Sequence, residues 1–194
     1  MTAQISDHVF YQDEMHTLAA MRGSGLFDPR DHGIDSPIAV NTACWRGFAC
    51  TYGVVDGLLQ LRELMIGLAA EQSAAVQKGE ALAFLGGCSA GEDQGWKIFK
   101  QLTLPIPFTG GLLLAQDFIS GMYVHMGFHP AYKYKTVYEL VFESGRLISE
   151  TDCSKKMAGF RKELEARGEK GRDELRESDL RGWIERCFDR SYSM

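Results

Sequence analysis

The sequence is most informative first for what it lacks. No run approaches the roughly 20 consecutive apolar residues that a membrane-crossing helix needs. The opening residues, Met1-Thr-Ala-Gln-Ile-Ser-Asp-His8, have neither the basic nor the apolar stretch of a secretory signal. There is no Walker motif and no G-x-G-x-x-G dinucleotide fingerprint, and no residue pattern calls for a cofactor. The five cysteines (Cys44, Cys50, Cys88, Cys153, Cys187) are odd in number, scattered, and contain no Cys-x-x-Cys pair. Free thiols in a reducing, cytoplasmic setting are the expectation.

A basic excess is also missing. The formal charge is −5 over 194 residues. Residues 1–150 hold 10 Lys and Arg against 16 Asp and Glu, and residues 151–194 hold 11 against 10. Neither part offers the clustered cations of a nucleic-acid binder, and no membrane partner is expected. The acidic body suits a basic protein partner better than an anionic one. With 45% hydrophobic and 11% aromatic residues the chain can build a core, and its length fits one domain, 1–194.

What is present is a pair of similar hairpin signatures. Phe48–Val55, Asp56-Gly57 and Leu58–Ile66 form the first; Val137–Glu143, Ser144-Gly145 and Arg146-Leu147 form the second. An apolar alternating strand, a turn able to take positive φ, and a returning strand predict antiparallel hairpins. The expected fold is α+β: a mainly antiparallel sheet from two related hairpin-rich halves, with C-terminal helices packed on it. Phe48, Cys50, Tyr52 and Val54 are expected on one face. In the last strand pair Tyr138, Leu140 and Phe142 face one way and Glu139, Val141 and Glu143 the other, so one face should meet water.

The connecting segments are less definite. Ile5–Tyr11 reads as a short strand or as the start of a helix running through Met15 and Leu18. Residues 21–41 read as loop, 69–79 as short helix or loop, 81–85 as a strand, and 97–104 as a further sheet segment. From residue 151 on the density of charge nearly triples, with 21 charged residues in the last 44 against 26 in the first 150. Ser154 can cap a helix carrying Met157, Phe160 and Leu164. Ser178 can cap another with Leu180, Trp183, Ile184, Cys187 and Phe188 on one stripe, which either docks on the sheet or serves as a surface for a partner or for a second copy in a homo-oligomer.

Several constellations invite chemistry, each with a plainer reading beside it. Gly87-Cys88-Ser89-Ala90-Gly91 spells the G-x-S-x-G nucleophile elbow, with Asp117 and His125 or His129 as followers in the right order. Successive hairpins are not the alternating strands and helices that motif needs, and four glycines in ten residues equally make a loop. His125 and His129 have a zinc-like spacing. Gly127 and Pro130 oppose a helix, and along a strand the two would stand roughly 13 Å apart, so no metal site is expected. Glu139 and Glu143 match a carboxylate pair, but alternation on a wet strand gives the same pattern. Asp28, Asp31 and Asp35 lack the spacing of a calcium loop. Cys44 and Cys50 share a face as buried small side chains, or as a metal or redox pair. The aromatic-rich stretch from Tyr123 to Lys135, with Trp45-Arg46, has the composition of an interface. Trp45, Arg46, Tyr123, His125, His129 and Tyr132 are the candidate partner contacts.

Three strings, Thr42-Ala-Cys44-Trp45-Arg46-Gly47-Phe48, Pro105-Ile-Pro107-Phe108-Thr109-Gly110-Gly111 and Tyr123-Val-His125-Met126-Gly127-Phe128, carry a resemblance across residues 40–150. They are similar to a loosely defined group of bacterial cytoplasmic proteins with no assigned activity, of the kind seen as immunity partners of secreted toxins. The resemblance implies a non-enzymatic protein that neutralises a basic toxin or enzyme by surface contact, and it transfers no catalytic residues. The rival expectations are a small serine hydrolase using Ser89 with His125 or His129, and a small-molecule-binding domain with an apolar cavity between the halves.

Overall fold

The computed structural model describes residues 2–85, 90–166 and 190–192. It is an α+β fold dominated by one largely antiparallel sheet. The strands are β1 (His8–Tyr11), β2 (Glu14–Ser24), β3 (Phe48–Val55), β4 (Leu58–Ile66), β5 (Ala90–Asp93), β6 (Trp96–Phe99), β7 (Leu104–Pro105), β8 (Thr109–Phe118), β9 (Tyr134–Glu143) and β10 (Arg146–Asp152). The helices are α1 (Ala70–Lys78) and α2 (Ser154–Ala166).

Tight turns build the sheet. Asp56 and Gly57 take φ of 51° and 73°, and Ser144 and Gly145 take 47° and 81°. Consecutive left-handed residues match the twist of a two-residue hairpin, so both expected hairpins form as read. Gln12-Asp13 (51° and 62°) and Gln94-Gly95 (46° and 87°) make two more turns of the same kind, joining β1 to β2 and β5 to β6.

The strand order is β10-β9-β8-β2-β1-β3-β4-β6-β5, and among the paired strands of the described residues β1 and β3 alone run parallel. Arg146 of β10 also pairs with Leu58 of β4, so the first seven strands of that order close on themselves. The two hairpin turns make this closure side by side. Leu59 N donates to Gly145 O at 2.8 Å, and Leu147 N to Gly57 O at 2.8 Å. The second edge of β4 therefore serves several partners in succession: β10 at Leu58, β7 at Gln60-Leu61 and β6 at Leu64–Ile66.

The interior of the closed part is filled. Val9, Leu18, Tyr52, Leu59, Leu61, Phe108, Leu112, Leu114, Leu140 and Phe142 belong to one buried cluster, each at most 1% exposed. A second cluster lies outside β2, β8 and β9, where Ala19, Leu113, Ala115 and Val137 meet Met157 of α2 and Tyr192. The C-terminal helix α2 packs on the sheet in this way, and Arg161 donates to the Tyr132 and Tyr134 carbonyls at 2.8 and 2.7 Å. The second C-terminal stripe, Leu180 to Phe188, lies outside the described residues.

Several local expectations are corrected. Residues 81–85 are not a strand: Leu82 has φ of 46°, Ala83–Leu85 form a 3-10 turn, and Ala81, Leu82 and Leu85 are apolar because they plug the core. The segment 97–104 is broken between β6 and β7, where Gln101 takes φ of 58°. Met21–Ser24 are strand rather than loop, and Met15 and Leu18 lie in β2 rather than a helix. Ser154 does not cap α2. Its N–H is taken by the Asp152 carboxylate at 2.8 Å, while its hydroxyl bonds Val137 on β9. The outer face of β9 does not all meet water, since Glu139 is only 5% exposed.

Candidate functional site

The connection between β8 and β9 gathers rings at one end of the sheet. Ile119 N donates to Lys133 O at 2.9 Å, pinching the base of the loop, and Gly127 turns it with φ of 64°. Tyr123 and His129 are thereby folded back over the ends of both strands. The His129 ring lies 4.8 Å from Phe118 and 5.2 Å from Tyr123, and Phe118 lies 5.2 Å from Tyr134. The Tyr123 hydroxyl shares a 3.0 Å hydrogen bond with His125 Nδ1. Tyr123 is 53% exposed, so the cluster has an open outer edge.

The electrostatics of His129 follow from this packing. Burial, then the neighbouring Lys133 cation, lower its pKa to about 4. Its Nδ1 is buried and has no hydrogen-bond partner among the described residues. The imidazole is thus held neutral near pH 7, as an aromatic plate rather than a cation.

An open groove of about 610 Å³ adjoins the cluster and shares two of its rings, Phe118 and Tyr134. Its remaining wall includes Glu14, Met15, Thr17, Gln116, Asp117 and Tyr138. Asp117 accepts from the Thr136 hydroxyl at 3.3 Å, and Gln116 Nε2 donates to Met15 O at 3.1 Å. Met15, half exposed, pairs in register with Phe10, also exposed, which extends an apolar strip from the groove across β1. Aromatic faces beside two carboxylates suit a cationic group with an apolar stem.

The candidate contacts are partly brought together. Gln4 bridges two loops: its N–H donates to Gly127 O at 2.8 Å, and its Oε1 accepts from Trp45 N at 3.1 Å. Trp45, 49% exposed, therefore stands beside the loop carrying His125 and His129. Tyr132 faces α2, with its ring 5.4 Å from Phe160. Arg46 is engaged within the fold. It forms a two-pronged ion pair with buried Asp7, one arm at 2.9 Å, donates to Phe48 O at 2.7 Å and stacks over the Phe48 ring.

The chemical alternatives fare differently. Ser89, the hydrolase candidate, lies outside the described residues, as do Cys88 and Cys187. His125 and His129 sit in a turn rather than on a helix, and no group of three or more metal-ligating residues occurs among the described residues. Cys44 and Cys50 are buried. Burial raises both thiols' pKa values, and Cys44 Sγ donates to Phe48 O at 3.2 Å, so both are inert as thiolates. Glu139 and Glu143 do not converge: Glu139 is tied to Arg22 and Tyr192, and Glu143 is exposed. Asp28 caps the 3-10 turn Pro29–His32 and pairs with Arg30.

Sequence reasoning missed the most strongly charged interior point. Asp7, 2% exposed, receives Arg46 from one side and Arg190 from the other, with Arg190 Nη1 at 3.0 Å from Oδ2. Cys50 N donates to Oδ1 at 2.8 Å. Burial alone would raise the Asp7 pKa, but the two guanidinium charges and the hydrogen bonds from Arg46 and Cys50 hold it well below the usual carboxylate range.

Comparison with protein-family models, with curated proteins and with solved structures gives no match to this chain. The likeness to immunity-type proteins thus rests on the short strings alone.

Proposed function

We propose that the chain is a non-enzymatic cytoplasmic binding protein that covers a basic surface of another protein, in the manner of an immunity protein neutralising a toxin or enzyme. The observation that carries this reading is the convergence of Tyr123, His129, Phe118 and Tyr134 on one rim with a groove holding Glu14 and Asp117. The exposed Tyr123 ring of this cluster, with carboxylates in the adjoining groove, combines an apolar anchor with electrostatic steering, which is how interfaces obtain both affinity and on-rate. The body's excess of acidic residues supports a cationic partner.

Capture of a stoichiometric partner from host lysate, followed by reconstitution of the purified pair, tests the reading. Tyr123→Ala and the Glu14→Gln/Asp117→Asn pair should each weaken the complex at least tenfold. The association rate should fall as salt rises, and the partner's own activity should be blocked in the complex. Unchanged affinity in both variants would remove this face from consideration. Loss of an enzymatic activity of the chain itself on Ser89→Ala would replace the reading with the hydrolase.

A further inference from the structure

Arg190, Ser191 and Tyr192 lie on the barrel as a bound peptide would. Strand β1 pairs with β2 over Glu14–Thr17, and Leu18 N donates to Asp7 O at 2.8 Å, so beyond Leu18 the same edge of β2 is open to another strand. Ser191 takes that edge in a parallel bridge to Met21, with Met21 N donating to Arg190 O at 2.7 Å. The flanking side chains enter two sockets. The Arg190 guanidinium reaches buried Asp7 and stacks 5.0 Å from the Phe128 ring centroid. The Tyr192 hydroxyl donates to Glu139 Oε1 at 2.6 Å, and Arg22 lies over its ring at 5.7 Å. Gly111 completes the second socket, because a Cβ there would fall on the Tyr192 hydroxyl.

We infer that Asp7, Met21, Arg22, Gly111, Phe128 and Glu139 form a peptide-binding site for an extended Arg-x-Tyr segment, occupied in cis by Arg190–Tyr192. The site recognises its ligand by strand addition and by alternate side-chain sockets, one anionic and one for a phenol. It is built without Arg190, since Arg46 already compensates and orients Asp7. Its present occupant fits incompletely. Arg190 is 10% exposed at its side chain, and its Nε and Nη2 are buried without an acceptor among the described residues. Buried donors left unpaired weaken an interaction that is otherwise well made. A partner segment that supplies the missing acceptor displaces the chain's own. This inference goes beyond the proposed function and uses none of the groove residues.

The test is fluorescence polarisation with a labelled peptide, Asp-Arg-Ser-Tyr-Ser-Met, against the full chain and a chain lacking residues 190–194. The shortened chain should bind at least tenfold more tightly than the full chain, whose tethered segment competes at high effective concentration. Peptides with Gln for Arg or Phe for Tyr should lose at least fivefold, and Glu139→Gln should cost only the tyrosine-dependent part. A folded shortened chain that ignores the peptide, or binds the altered peptides equally, overturns the inference. Should the shortened chain fail to fold, the full chain carrying Arg190→Gln takes its place. It should bind the peptide at least tenfold more tightly than wild type, and equal binding overturns the inference.

Discussion

Replacing Asp7 by Asn tests the electrostatic core most directly. The substitution keeps the volume and one carbonyl oxygen, and removes only the charge. Two guanidinium groups converge on that charge, with arms at 2.9 and 3.0 Å from Oδ2. At about 4 Å between charge centres and an effective dielectric of about 20, each pair is worth about 4 kcal/mol before desolvation. Desolvation offsets much of that gain, so the intact triad adds little net stability. Removing its centre is another matter, because the desolvation is still incurred while two cations face each other. Loss of one partner from a buried pair costs about 3–5 kcal/mol, and Arg190 and Arg46 are 10% and 28% exposed at their side chains. Asp7→Asn should therefore lower the unfolding free energy by about 3–4 kcal/mol, measured by urea titration of tryptophan fluorescence. Adding Arg46→Met to Asp7→Asn should restore part of the loss. A drop under about 1 kcal/mol, or strict additivity of the two changes, would refute the reasoning. The pH dependence has a definite sign. The folded pKa of Asp7 lies below its unfolded value, so this stabilisation is complete above the unfolded pKa and disappears as pH falls through the folded one.

Further outcomes follow from other sites. His129 has a folded pKa of about 4, below its unfolded value, so the neutral ring stabilises the fold above about pH 6.5 and that stability is lost as pH falls toward 4. Discounted for partial exposure, the loss is about 1–2 kcal/mol, and the difference in stability between wild type and His129→Gln should shrink across that range. Gly57 has φ of 73° and open space around its Cβ position, so Gly57→Ala should cost only backbone strain, about 1 kcal/mol. Gly111→Ala should cost about 1–3 kcal/mol and free Tyr192, detectable as a change in tyrosine fluorescence. Cys44, Cys50 and Cys153 should resist a thiol reagent in the native state and react once denatured, and fast native labelling of any of them would contradict their burial.

The hairpins were legible because their turns carry a local requirement in their residues. Asp-Gly and Ser-Gly take two successive positive φ angles cheaply, and alternation on either side sets which face is buried. The turn at Gln12-Asp13 obeys the same geometry without a glycine, so Ile5–Leu18 reads equally as one helical segment or as strands. Residues 81–85 show the complementary error. Apolar density marks burial, and burial is reached there by a 3-10 turn plugging the barrel rather than by a strand. The parallel pairing of β1 with β3 and the closure of β10 on β4 depend on contacts far apart in the chain, which no local pattern records.

The same division governs the site. Composition singled out the stretch around Tyr123, His125 and His129, and these rings do gather beside a groove. It could not separate Trp45, which stays at the surface, from Arg46, which turns inward to a partner 39 residues away. Asp7 sits in Ser-Asp-His with nothing to mark it, and its second partner lies 183 residues further on. Glu139 looked solvated because alternation assumes that the outer face of a strand is wet. Its actual neighbours, Arg22 and Tyr192, arrive from β2 and from beyond α2. In each case the misread residue is a charge whose compensation comes from a distant element. Such a charge is costly to bury until that element has docked, so Asp7 and Glu139 make the docking of residues 190–192 specific rather than merely apolar. That is why exchange of this segment, and not truncation of the core, is the informative way to perturb the fold.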